Sequence, residues 1–206
     1  MSIITMTEAM AAQVSLMSWG QQRFDVTSRS VFGAQSIESG APLWTVEFQV
    51  KPLRETDTGV WKSTMLKLAG QTNQFELWDI RRPVPLGTMR GGMVLAVAAE
   101  QGDTSMIIST NSTQGYGTLL EGDMLQIGAG ETQQVVILTE DAAADSSGDI
   151  EVFFQGPLRN DFAQGSTVIW DKPKALFRRT SADTQWNYEP LFARGFAMTL
   201  IEDWRA

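Results

Sequence analysis

Between Leu119 and Arg159 the chain alternates short apolar runs with turn residues at a spacing that suits short paired strands. Leu119-Leu120-Glu121-Gly122-Asp123 leads into Met124-Leu125-Gln126-Ile127-Gly128, Gln134-Val135-Val136-Ile137-Leu138 follows, and Gly156-Pro157-Leu158-Arg159 closes the stretch. Gly122-Asp123 and Gly128-Ala129-Gly130 supply the positive-φ or unhindered backbone that reversals need, and the apolar runs between them supply pairing strands. Nothing in this run has the look of a reaction centre. Further strands are expected at Met93 to Ala98, Ser105 to Ser109, Ile150 to Phe154 and Thr167 to Trp170, with Asp145-Ser146-Ser147-Gly148-Asp149 as the plainest turn. Such a rhythm predicts a small barrel or sandwich.

Outside that region the periodicity changes twice. Trp44, Val46, Phe48 and Val50 alternate with Thr45, Glu47 and Gln49, as a half-buried strand requires. From Thr56 to Ala69, Val60, Trp61, Met65 and Leu68 recur at helical spacing and Gly70 supplies a stop, which predicts one amphipathic helix. Phe75, Leu77 and Ile80 then resume strand character. Arg81-Arg82-Pro83-Val84-Pro85-Leu86-Gly87 contains two prolines that remove amide donors, so it reads as a domain boundary. Asp171-Lys172-Pro173 breaks the pattern again, and Ala175 to Arg178 and Ala197 to Ile201 read as closing strands. If those strands complete the sheet begun before Pro83, the smaller domain is an insertion in the larger.

Composition narrows the chemistry. The 206-residue chain has neither cysteine nor histidine. That removes disulfides, thiolate catalysis, the commonest transition-metal ligand and most hydrolase triads. A formal charge of -8 disfavours stable adhesion to nucleic acid or anionic lipid. Met1 to Val14 contains Glu8, lacks a basic leader and has no long apolar stretch, so neither Sec export nor membrane insertion is expected. Seven tryptophans and ten phenylalanines against two tyrosines indicate apolar anchors for cores or interfaces.

Several groups invite a chemical reading, and each has a plainer one. Gly87 to Gly92 and Gly128 to Gly130 fit neither a Walker loop nor a dinucleotide fingerprint, and read as turns. Asp141, Asp145 and Asp149, near Glu140 and Glu151, lack the order of a calcium loop and read as a solvated hairpin tip. Glu131, Asp161 and Asp183 are the candidates for a carboxylate glycosidase, a chemistry that needs a defined separation between two of them. Arg178-Arg179 with Lys172 and Lys174 offers contacts to phosphate or an acidic neighbour, Trp186 and Tyr188, beside Asn187, offer platforms for stacking on sugar or bases, and Trp170 and Trp186 are the residues that would carry binding of a glycan. No catalytic, cofactor or metal residue is assigned.

Taken together, Asn73 to Asp79, Pro83 to Gly91, Leu120 to Gly128, Pro157-Leu158-Arg159, Val168 to Pro173, Ala175 to Arg178, Gly195-Phe196 and Leu200 to Trp204 resemble the distal tail proteins of long-tailed bacteriophages and prophages. Ser28-Arg29-Ser30 and Gln35 are similar to them as well. The resemblance implies a mainly β chain: a sandwich-like, ring-forming domain with one helix over 1–86 and 171–206, and an inserted barrel resembling an OB fold over 87–170. It also implies a ring, six-fold in that family, joining the tail tube to the tail-tip hub or fibre proteins at the distal end of the virion tail. The chain would be made in the host cytoplasm and would let DNA pass without stable binding. No catalytic residues or cofactors come with it. The competing expectations are a carbohydrate-binding module acting through the inserted barrel, and a glycosidase.

Overall fold

The computed structural model describes residues 1–110, 112–185, 188–189, 192–193 and 195–204. The chain begins with β1 (Ile3–Thr5), α1 (Glu8–Ala11), β2 (Val14–Gln22), β3 (Asp25–Ser30), β4 (Gly33–Glu38), β5 (Leu43–Val50), α2 (Glu55–Lys67) and β6 (Gln74–Trp78). Then come β7 (Met93–Leu95), β8 (Ser105–Ser109), β9 (Thr118–Leu119), β10 (Met124–Ile127), β11 (Gln134–Ile137), β12 (Ala142–Ala143), β13 (Asp149–Phe153) and β14 (Thr167–Ile169). It ends with β15 (Lys174–Arg179), β16 (Tyr188–Glu189), β17 (Phe192–Ala193) and β18 (Ala197–Glu202). The fold is mainly β and sandwich-like, as the strand rhythm predicts.

Two six-stranded sheets carry it. The first has the order β1-β6-β15-β18-β5-β2 and draws strands from both ends of the chain; the second, β11-β10-β14-β7-β8-β13, lies wholly between Met93 and Ile169. The second sheet curls until the chain just past one edge strand meets the end of the other. Leu138, just past β11, bridges to Phe154, just past β13, and the Thr139 N–H donates to the Phe153 carbonyl at 3.0 Å. Met93, Leu95, Ile108, Leu125, Ile127, Val136, Ile150 and Val152 fill the interior so formed.

Faces follow from register. Met17 opposes Phe48, which opposes Met198, while Phe177 opposes Phe75, so these side chains share one face of the first sheet. Helix α2 lies on that face: the Trp61 ring stands 5.7 Å from Phe48 and 5.3 Å from Phe196. The stripe it buries runs through Thr58, Trp61, Thr64, Met65 and Leu68. Val60, placed on the apolar stripe from the sequence, points outward and is 53% exposed. Ala69 and Gly70 then take φ of 47° and 69°, ending the helix by the left-handed turn that glycine favours.

Met124 and Val135 join this same cluster, while their neighbours Leu125 and Val136 face into the barrel. β10 and β11 are therefore buried on both faces, which is why they read as unbroken apolar runs. Three elements depart from expectation. A second, one-turn helix, α1, is capped by the Thr7 side chain, which accepts from the Met10 N–H at 3.3 Å. The strand expected to reach Ala98 ends at Leu95, and Ala99, packed in the same core, bridges to Phe162. Ile80 lies beyond the end of β6, at Trp78.

Candidate interaction surface

β3 and β4 pair with each other through six residue pairs and belong to no larger sheet. Every residue from Asp25 to Glu38 is exposed. Their ladder is fastened at the base by Arg23, which meets Asp25 at 3.0 Å and Glu38 at 3.5 Å, and midway by the Thr27 and Ser36 hydroxyls at 2.9 Å. At the tip sit Val31 and Phe32, exposed to 97% and 98%. A free two-stranded hairpin is marginal in water. Burying two such side chains is worth roughly 1.5–3 kcal/mol each.

The first sheet is also open. β2 is a nine-residue edge strand, Val14-Ser15-Leu16-Met17-Ser18-Trp19-Gly20-Gln21-Gln22, without charge or proline, blunted only by a register shift between Val14 and Leu16. Edge strands that lack charges and prolines are templates for further pairing. Beside it, Leu16, Ser18, Glu47, Gln49, Ala197 and Thr199 are exposed, which leaves this side of β2, β5 and β18 uncovered.

Behind these surfaces the two sheets are locked together by buried polar groups. Arg159, from the barrel, and Glu202, at the end of β18, form a two-pronged ion pair with side chains 4% and 3% exposed, and Glu202 Oε2 also accepts the Trp44 N–H at 2.9 Å. The Trp44 indole N–H donates to the Val135 carbonyl at 2.9 Å. Gln133 Nε2 donates to Glu76 and to the Lys174 carbonyl, at 3.2 and 3.0 Å, while Gln126 Oε1 accepts the Lys174 N–H at 2.9 Å. Such bidentate and networked contacts fix relative orientation more strictly than apolar packing does.

The residues singled out from the sequence have mostly local duties. Asp145 Oδ1 accepts the N–H groups of Ser147 and Asp149 at 2.8 and 3.0 Å, and those backbone bonds hold its carboxyl below the ordinary carboxylate range. Any stability Asp145 contributes is present above its unfolded pKa and is lost as pH falls through the depressed one. Titration followed at the carboxyl carbon by NMR will place Asp145 below free aspartate. Asp141 accepts the Glu121 N–H at 2.7 Å. No group of three carboxylates suited to a metal ion occurs among the described residues. Glu131 is exposed in a 3-10 turn, Asp161 binds the Gln101 N–H at 2.7 Å, and the Asp183 carbonyl accepts from Arg179.

The basic stretch serves internal acidic neighbours. Lys172 pairs with Glu8, Lys174 with Glu76 at 3.4 Å and Arg178 with Asp203 at 3.8 Å, while burial lowers the Arg179 pKa. Trp170 donates its indole N–H to the Gly91 carbonyl at 2.6 Å and carries the Arg90 guanidinium 5.1 Å from its ring centre, so one stacking face is already taken. Trp186 and Asn187 lie outside the described residues, as does the Tyr188 side chain. Gly87 has a packing reason to be glycine, since a Cβ there would stand 2.1 Å from the Thr118 carbonyl oxygen. The hairpin arm is the feature that sequence reasoning missed; its one local signal was Val31-Phe32 adrift in a polar stretch. No helix among the described residues is long and apolar enough to cross a membrane. No protein-family model matches the chain, and no curated protein matches it as a relative.

Proposed function

We propose that this chain is a structural, non-catalytic part of a phage tail, assembled as a ring between the tail tube and the tail tip, with 1–86 and 171–206 forming the ring and 87–170 inserted as the barrel. The observation that carries the reading is the β3–β4 arm, a fully exposed hairpin ending in Val31 and Phe32. A closed ring needs two different adhesive faces on each subunit. The arm supplies one projecting face, and the uncharged β2 edge with its uncovered sheet supplies others. Rigid coupling of the two sheets through Arg159 and Glu202 suits a part that transmits position rather than one that opens around a substrate. The charge of -8 suits a passage for DNA, because acidic walls repel phosphate. Gold-labelled antibody against this chain, applied to tailed particles that contain it, is expected to mark the distal end of the tail. Label along the whole tube, on the capsid, or on no particle would refute the assignment.

A further inference from the structure

Beside the base of the arm lies a mostly apolar pocket of about 520 Å³, walled by Phe24, Leu43, Gln101, Pro157, Leu158 and Trp204. Its one cation, Arg159, is neutralised by Glu202. On the rim, the turn from Glu100 to Asp103 and the adjoining Asp161 expose three carboxylates. That turn is held in shape, since Asp103 accepts the Glu100 N–H at 2.8 Å and Asp161 the Gln101 N–H at 2.7 Å.

The arm's tip is the chemical complement of this pocket. Val31 and Phe32 match its apolar walls, and Arg29 is the only charged residue from Val26 to Ile37, with no ion pair among the described residues. Phe24 and Gly40, which flank the hairpin, both line the pocket, so tip and pocket sit at opposite ends of one ladder. Six residues of strand span about 20 Å. A regular ladder cannot fold back over that length onto its own base, so the tip does not reach the pocket of its own chain.

We infer that the tip of β3–β4 in one copy seats Val31 and Phe32 in the pocket of the next copy, with Arg29 facing the carboxylates of Glu100, Asp103 and Asp161. Tip into base repeats head to tail, which is the interface type that closes into a ring when the rotation permits. The inference rests on the ring reading and names its contact. Apolar insertion gives the affinity, and the charge pairing, screened by salt, gives the register.

Because the chain has no cysteine, Phe32→Cys combined with Gln101→Cys introduces the only two thiols. Under mild oxidation the full-length double variant is expected to give a ladder of covalent species at multiples of 22.7 kDa, whereas either single variant stops at a dimer or below. Phe32→Asp, at a site with no packing to lose, is expected to keep the wild-type circular dichroism spectrum and to raise the self-association constant for dissociation at least tenfold. Arg29→Glu weakens association, and adding Glu100→Arg restores it. Light scattering separates the failures. Rings that persist in Phe32→Asp, with no ladder from the double-cysteine variant, overturn the tip-in-pocket contact and leave the ring standing. A wild-type chain that stays monomeric up to millimolar concentration, with a double-cysteine variant that gives no ladder, overturns both. Unchanged self-association in Phe32→Asp together with loss of incorporation into tails assigns the tip to a different protein, and overturns the contact.

Discussion

Replacing Glu202 by alanine is expected to cost about 3–5 kcal/mol of folding stability, the penalty of leaving one member of a buried ion pair alone. For a chain of this size that is a fall in melting temperature of roughly 10 °C. The carboxylate does three jobs: it takes both terminal nitrogens of Arg159 and the Trp44 N–H, and so ties the barrel to β18 and to the start of β5. Its loss strands a guanidinium on a side chain only 4% exposed, whose Nε already has no acceptor among the described residues. The paired change Arg159→Met with Glu202→Leu should recover the part of the deficit that comes from the stranded guanidinium, because apolar groups of similar volume need no charge partner, while the Trp44 N–H stays without its acceptor. Urea titration of the single and double variants provides the check. Equal losses in both would mean that the site contributes through shape and not through charge.

Asp123→Ala is the second large effect, about 3 kcal/mol, from three backbone donors deprived of one acceptor. Asp123 is 2% exposed, and its carboxylate accepts the N–H groups of Leu86 at 2.7 Å, Leu120 at 2.8 Å and Gly87 at 3.2 Å. One side chain thus closes its own turn and pins the proline-containing connection where the chain passes from β6 toward the barrel. Asp123→Asn is expected to lose less, since its carbonyl oxygen in the Oδ2 place keeps the Leu120 and Gly87 donors while its NH₂ faces the Leu86 N–H. Hydrogen exchange will show the change as faster exchange at Leu86, Gly87 and Leu120 before the rest of the barrel. Protection unchanged at those three amides would contradict the role.

How much of this was legible depends on where each residue spends its hydrophobicity. β5 was plain because Val46, Phe48 and Val50 alternate with exposed Glu47 and Gln49 over a single buried face. β10 and β11 were plain for the opposite reason, being buried on both sides. Helix α2 was found but rotated in part: Thr58 and Thr64 complete its buried stripe, while Val60 and Leu66 face solvent, so apolar content alone misplaces its face. β2 escaped notice because exposed Leu16 sits out of phase with buried Met17. The β3–β4 arm had no signal of burial to read, as Asp25-Val26-Thr27-Ser28-Arg29-Ser30 faces water on both sides and its turn lacks an Asn-Gly or Asp-Gly pair. Gly122-Asp123 was read as turn chemistry, and so it is; the reach of its carboxylate to Leu86, 37 positions earlier, belongs to tertiary structure. The same holds for Arg159 and Glu202, 43 positions apart, and for the tip and the pocket, whose complementarity appears only once the hairpin is built.

Electron microscopy of the purified full-length chain over a concentration series is the most direct measurement of whether it acts as an assembled collar. Closed rings of uniform symmetry with a central opening, dispersed by Phe32→Asp, are the predicted result. Isolated single copies at every concentration, joined by turnover of a glycan substrate in the same preparation, would contradict it.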